Sequence, residues 1–71
     1  MDDERWDTEL TARQLEVLKL AAEGRRNKQI AGDLGISDRT VGNHLTLVFR
    51  RLGVQCRTGA VIKAFQRGWL R

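Results

Sequence analysis

Four side chains that hydrogen-bond in defined directions, Arg39, Asn43, Thr46 and Arg50, recur at intervals of four, three and four residues. On a helix turning about 100° per residue they fall within about 60° of one another, and Val41, Leu45, Val48 and Leu52 form an equally narrow apolar stripe on the opposite side. No acid shares the polar stripe. An arginine fork grips guanine or phosphate, an asparagine amide pairs bidentately with adenine, and a threonine donates, accepts or touches a thymine methyl. Together they suit the base edges of a DNA major groove, whose width of roughly 12 Å admits a helix. A merely solvated face more often carries Glu and Lys at pairing intervals. Catalysis finds no comparable support. His44 stands at the border of the apolar stripe, a place for packing or for facing a phosphate. Neither it nor Cys56 has a nucleophile, base and orienting group arranged around it. One Cys and one His are too few for a structural zinc site. The chain reads as a non-enzyme without cofactor, metal or small-molecule ligand.

A face of this kind works only if rigid elements hold it. Ser37 is a strong N-cap and Gly53 a natural stop, so the spacing predicts a helix from about Asp38 to Leu52. Before it, Asn27 reads as the N-cap of a shorter helix that turns Ile30, Ala31 and Leu34 inward and ends at Gly35. Only about three residues then separate the two helices, which forces a sharp crossing. Ala31, Gly35 and Val41 have the spacing of such a turn: a small residue allowing close approach, a glycine for the turn, and a β-branched residue packing beneath. The preceding helix opens with a capping box, Thr11 and Gln14, inside a hydrophobic staple of Leu10 and Leu15. Leu15, Val17, Leu18, Leu20, Ala21 and Ala22 cover a broad arc of it. Arg13, Glu16, Lys19 and Glu23 are left on the wet side, with Gly24 as its stop. After a loop over Val54 to Arg57, Thr58 is expected to cap a fourth helix with Val61, Ile62, Phe65 and Trp69 facing inward. Four helices and no strand-like alternation make an all-α, four-helix bundle containing a helix-turn-helix.

Charge placement agrees. Six of the nine acids lie in the first 16 residues, while from residue 17 onward eleven basic residues face three acidic ones, a net of +8. A basic body of this kind is the electrostatic footprint of a nucleic-acid binder. At 71 residues with 41% hydrophobic and 31% charged side chains, the chain is a single domain that removes only about 60% of its unfolded surface from water. Residues 1–9 read as an acidic arm, with Trp6 tacked onto the core, and residues 10–71 as the domain. No run approaches the roughly 20 apolar residues that span a bilayer, and Asp2-Asp3-Glu4 is unlike a signal peptide's basic opening. The chain therefore reads as intracellular, with the cytoplasm as its expected place.

From Leu10 to Leu70 the chain resembles the LuxR-type (GerE-like) helix-turn-helix domain of bacterial transcription regulators. The matching residues are Leu10-Thr11-Ala12-Arg13, Glu16-Val17-Leu18, Gly24, Asn27-Lys28-Gln29-Ile30-Ala31, Ile36-Ser37, Thr40-Val41, Asn43-His44, Leu52-Gly53-Val54 and Arg57-Thr58. Such domains stand alone or end a response regulator or ligand-sensing regulator, and bind double-stranded DNA as homodimers, often through the last helix. The resemblance implies base-edge contacts at Gly42, Asn43 and Thr46, joined by Arg39 of the polar stripe. It implies phosphate contacts at Asn27, Lys28, Thr40 and the basic end Arg50-Arg51. Ile62, Gln66 and Leu70 are the dimer candidates, and RNA polymerase is a candidate partner. Family members very often carry Lys where this chain has Gly42, so a DNA contact is expected to be lost there. The glycine also costs about 1 kcal/mol of helix propensity relative to Ala. Gly59 replaces a common acid and is expected to weaken the first turn of the last helix.

Two alternatives stand beside this. The promoter-binding region of a sigma factor also opens with Leu-Thr-x-Arg, and an inactivated helix-turn-helix that pairs with a regulator is the non-DNA reading that Gly42 suggests. Arg25 and Arg26 read as a solvated basic link. Phe65 reads as core and Leu70 as interface, with the free chain a monomer because its last helix offers little spare apolar surface. Leu47, apolar on a polar flank, has a base methyl as its only evident partner.

Overall fold

The computed structural model describes residues 10–70, so the expected acidic arm and the docking of Trp6 lie outside the described residues. Among the described residues four helices follow in order: α1 (Ala12–Ala22), α2 (Asn27–Leu34), α3 (Asp38–Leu52) and α4 (Arg57–Gln66). Among the described residues there is no strand.

α1 begins as its sequence demands. The Thr11 hydroxyl accepts from the Gln14 backbone N–H at 3.1 Å, and the Gln14 side chain accepts from the Thr11 N–H at 3.0 Å. Leu10 and Leu15 pack into the same apolar cluster, which completes the staple. α2 opens one residue earlier than its residues suggest. Arg26 is the cap, its N–H satisfied by the Gln29 side chain at 2.9 Å and its carbonyl accepting from the Ile30 N–H at 2.9 Å. Asn27 is the first helical residue and caps nothing, because its side-chain oxygen is bonded to Arg57 instead. α2 ends at Gly35, whose φ of 69° is left-handed, a conformation that costs an L side chain energy and glycine nothing. Gly35, Ile36 and Ser37 are the whole turn, and the Ser37 hydroxyl caps α3 by accepting from the Thr40 N–H at 3.0 Å.

α3 is the axis of the fold. Its four stripe residues, Val41, Leu45, Val48 and Leu52, are all buried, and they serve two clusters. Val41 and Leu45 meet Val17, Ala21, Ile30 and Ala31 from α1 and α2. Val48 and Leu52 meet Leu10 just before α1, Leu18 of α1, and Ala60 and Ala64 of α4. Phe49, half-buried, packs against both and joins them, a role its position beside the stripe did not announce.

α4 is rotated from the sequence expectation. Its buried residues are Ala60 and Ala64, whereas Ile62 and Phe65 are 52% and 50% exposed. Ile62 and Phe65 were expected inward, but the helix lies on its alanine face instead, while Val61 and Trp69, half-buried, pack against the same cluster as expected. The last helix therefore does offer spare apolar surface. Its start also differs: Arg57 is the first helical residue and Cys56 the cap, with the Ala60 N–H donating to the Cys56 carbonyl at 3.1 Å, so Thr58 lies inside the first turn. A Cβ on Gly59 would stand 3.2 Å from Val54 Cβ, so glycine here lets the loop lie against the helix. Its absent side chain is a close-approach feature and not only a weakness. At the far end Gly68, at φ 76°, reverses the chain. The Trp69 N–H then bonds the Ala64 carbonyl at 2.9 Å, and Trp69 and Leu70 fold back onto the Leu10–Leu18 cluster.

This rotation sets up a test by thermal unfolding. Ala64→Leu should overpack the core and cost about 1–3 kcal/mol, while Phe65→Ser should cost less than about 1 kcal/mol because its ring is half in water. The opposite order would place Phe65, not Ala64, in the core.

Candidate nucleic-acid interface

With its buried stripe anchored in both clusters, α3 turns its other side out. Arg39, Asn43, Thr46 and Arg50 are all exposed there, in line with the periodicity. The helix is about 22 Å long at 1.5 Å per residue, and Asp38, in its first turn, is its one acid. Acid at the N-terminus and Arg50-Arg51 in the last turn both complement the helix dipole. The Thr46 hydroxyl donates to the Gly42 carbonyl at 2.9 Å. With its proton so engaged, the side chain presents a methyl group and oxygen lone pairs outward.

The remaining candidates lie around this face. Thr40 is half-buried in the first turn of α3, its hydroxyl 2.9 Å from that of Ser37. Gly42, also half-buried, has open room: a Cβ there would meet only Asn27 Nδ2, at 4.0 Å. Asn27 is therefore drawn from the start of α2 to the start of α3, and Lys28 follows it, exposed. Arg51 is exposed as well. The structure thus brings Asn27 and Gly42 together, although 15 positions separate them in the chain.

Of the expected dimer residues, Ile62 and Gln66 are exposed on α4. Leu70 is half-buried, lining a shallow groove with Lys19, Ala22, Glu23, Phe65 and Trp69. Leu47 is 42% exposed, which agrees with its place on the polar flank.

Arg25 is not the solvated link its context suggested. Its guanidinium holds the Asp33 carboxylate through two bonds, Nε to Oδ2 at 2.5 Å and Nη2 to Oδ1 at 3.0 Å, and so braces the loop against α2. Arg57 is the residue sequence reasoning missed. Reaching back from α4, it donates to the Arg25 carbonyl at 2.8 Å and to Asn27 Oδ1 at 2.6 Å. Partners 32 and 30 residues away leave no local signal. Among the described residues no three His, Cys, Asp or Glu side chains gather as a metal site, and no helix is long and apolar enough to cross a membrane.

A three-helix support, a three-residue turn and a polar outer face on the helix that follows define the helix-turn-helix class. Within that class, the family model of the luxR family of bacterial regulatory proteins matches residues 8–64, and the chain belongs to that family. This sets aside the sigma-factor alternative. The chain is 46% identical over 70 residues to the transcriptional regulatory protein YdfI of Bacillus subtilis, covering 99% of this chain and 33% of that protein. It is 39% identical over 61 residues to the spore germination protein GerE of the same organism, covering 86% and 82%. A solved structure of the transcription factor GerE superposes with a TM-score of 0.85 at 33% identity, over 90% of this chain and 96% of that one. The chain spans about a third of YdfI's length.

The open space at Gly42 makes a direct test of the helix itself. Gly42→Ala needs no repacking, so it should recover most of the roughly 1 kcal/mol of propensity and raise the melting temperature by about 4–8 °C. A lower melting temperature would mean that the backbone at Gly42 is not regular helix.

Proposed function

We propose that this domain binds double-stranded DNA sequence-specifically as part of a bacterial transcription regulator, with α3 in the major groove. The observation that carries it is the division of α3 into a fully buried apolar stripe and an exposed face of Arg39, Asn43, Thr46 and Arg50 without an acid. Such a helix can be pressed into a groove without disturbing its own packing. Asn43 and Arg39 read base edges; Thr46 offers a methyl or an acceptor to its base; Gly42 contributes backbone alone. Asn27, Lys28, Thr40, Arg50 and Arg51 hold phosphates, which set register and supply most of the affinity without sequence information. No catalysis and no cofactor is involved. The regulator acts at the bacterial nucleoid, with RNA polymerase as the partner it recruits or blocks.

The working form on DNA is a homodimer. Exposed Ile62 and Gln66 on α4, with Leu70 beyond them, supply the contact surface. Two-fold pairing requires the two α3 helices to enter successive major grooves on one side of the duplex, so half-site centres should lie about 10 base pairs apart. Footprinting on a random-library selection checks this, and full-affinity protection of one isolated half-site would contradict it.

Two substitutions separate the two kinds of contact. Lys28→Ala should weaken binding to every duplex and lower the salt slope by about 1, whereas Asn43→Ala should cost about 1–3 kcal/mol on the selected site and little on random DNA. Equal losses on both duplexes for Asn43→Ala would remove it from base reading.

A further inference from the structure

Asn27 is the junction of three elements, and the bonds around it determine which end of its amide faces outward. A guanidinium only donates, so the Asn27 atom 2.6 Å from Arg57 Nη2 must be the carbonyl oxygen. The amide nitrogen then lies on the other side, and it is this nitrogen that stands 4.0 Å from the Cβ position of Gly42. Arg57 is itself held, because its second nitrogen is bonded to the Arg25 carbonyl at 2.8 Å. The Arg25 side chain is in turn locked to Asp33. Left alone, an Asn side chain at the start of a helix turns freely between amide orientations and also competes for backbone N–H groups as a cap. Here neither freedom remains, since Oδ1 is taken and Asn27 already lies within the helix.

We propose that Arg57 is a positioning residue for the DNA interface: from α4 it clamps Asn27 so that the two amide N–H groups face the opening beside Gly42, ready for a phosphate oxygen. This rests on the reading that Asn27 contacts DNA, and it adds a specific dependence of that contact on α4. Pre-orientation matters because a side chain ordered before binding gives up no rotamer freedom on binding. Gly42 places no side chain beside that amide nitrogen, where a Cβ would stand 4.0 Å away. The helix that carries the candidate dimer residues Ile62 and Gln66 is thereby tied, through one guanidinium, to a phosphate donor on α2.

Arg57→Lys tests the clamp, since it keeps the positive charge but has no planar fork to hold Arg25 O and Asn27 Oδ1 together. Affinity for a selected duplex is measured for the parent chain, Asn27→Ala, Arg57→Lys and the double variant at two salt concentrations, with melting temperatures alongside. Asn27→Ala should lose about fivefold, the weight of one net hydrogen bond, and Arg57→Lys a comparable factor. Adding Arg57→Lys to Asn27→Ala should cost less than about twofold more, because the two act as one unit. In the free domain, the Asn27 side-chain amide signals in a nitrogen-correlated NMR spectrum should shift and broaden in Arg57→Lys, a change that lost stability alone does not produce in a domain still folded. Independent losses in the double variant, or unchanged Asn27 amide signals, would overturn the positioning role even if Asn27 does touch DNA. Parent affinity in Asn27→Ala would show that Asn27 makes no DNA contact, and would overturn the reading beneath the proposal and the proposal with it.

Discussion

Everything in this domain depends on the apolar stripe of α3. Val41, Leu45, Val48 and Leu52 are buried to 4% exposure or less, and each such side chain contributes about 1.5–3 kcal/mol relative to leaving it in water. In a small domain whose net stability is of order 5 kcal/mol, no single partner helix could hold α3 alone. The stripe is therefore divided between two clusters, with α1 and α2 gripping its first half and α1 and α4 its second. α1 serves both. The outer face owes its fixed direction to this double grip, since a helix anchored at both ends of one stripe cannot roll.

Polar groups complete what the core begins. The turn between α2 and α3 is so short that Gly35 and the Ser37 cap decide the crossing between them. Arg25 with Asp33, and Arg57 with Arg25 and Asn27, then fasten the loop before α2 to α2 itself and to α4. The Arg25–Asp33 pair is partly solvated, so its weight is geometric more than energetic. Arg57 spends its fork on a backbone carbonyl and a neutral amide, each needing a donor, and that makes it a positional fastening between parts of the chain far apart in sequence.

Where the site was legible and where it was not follows from the range of the forces involved. The outer face of α3, its buried stripe, the capping box at Thr11 and Gln14 and the turn at Gly35 all depend on residues within a few positions of one another, and each lies where the sequence puts it. The inward face of α4 does not. Phe65 and Ile62 are larger and more apolar than Ala60 and Ala64, so hydrophobicity alone points them to the core, yet it is Ala60 and Ala64 that are buried against α1 and α3. Likewise Asn27 has the residue type of a cap but is used by Arg57, and Thr58 has it too but lies within a helix already begun at Arg57.

The sequence by itself determined that the described residues form four helices, that the third has one apolar and one hydrogen-bonding side, and that the basic charge gathers on the body beyond residue 16. These are properties of period, capping chemistry and composition, which act along the chain. Only the tertiary structure decided which face of α4 is buried, that Phe49 joins the two clusters, and that Asn27, Gly42 and Arg57 meet at one point. Those outcomes depend on how closely helices approach and on which distant donor reaches a given acceptor first, and neither is set by neighbours in the sequence.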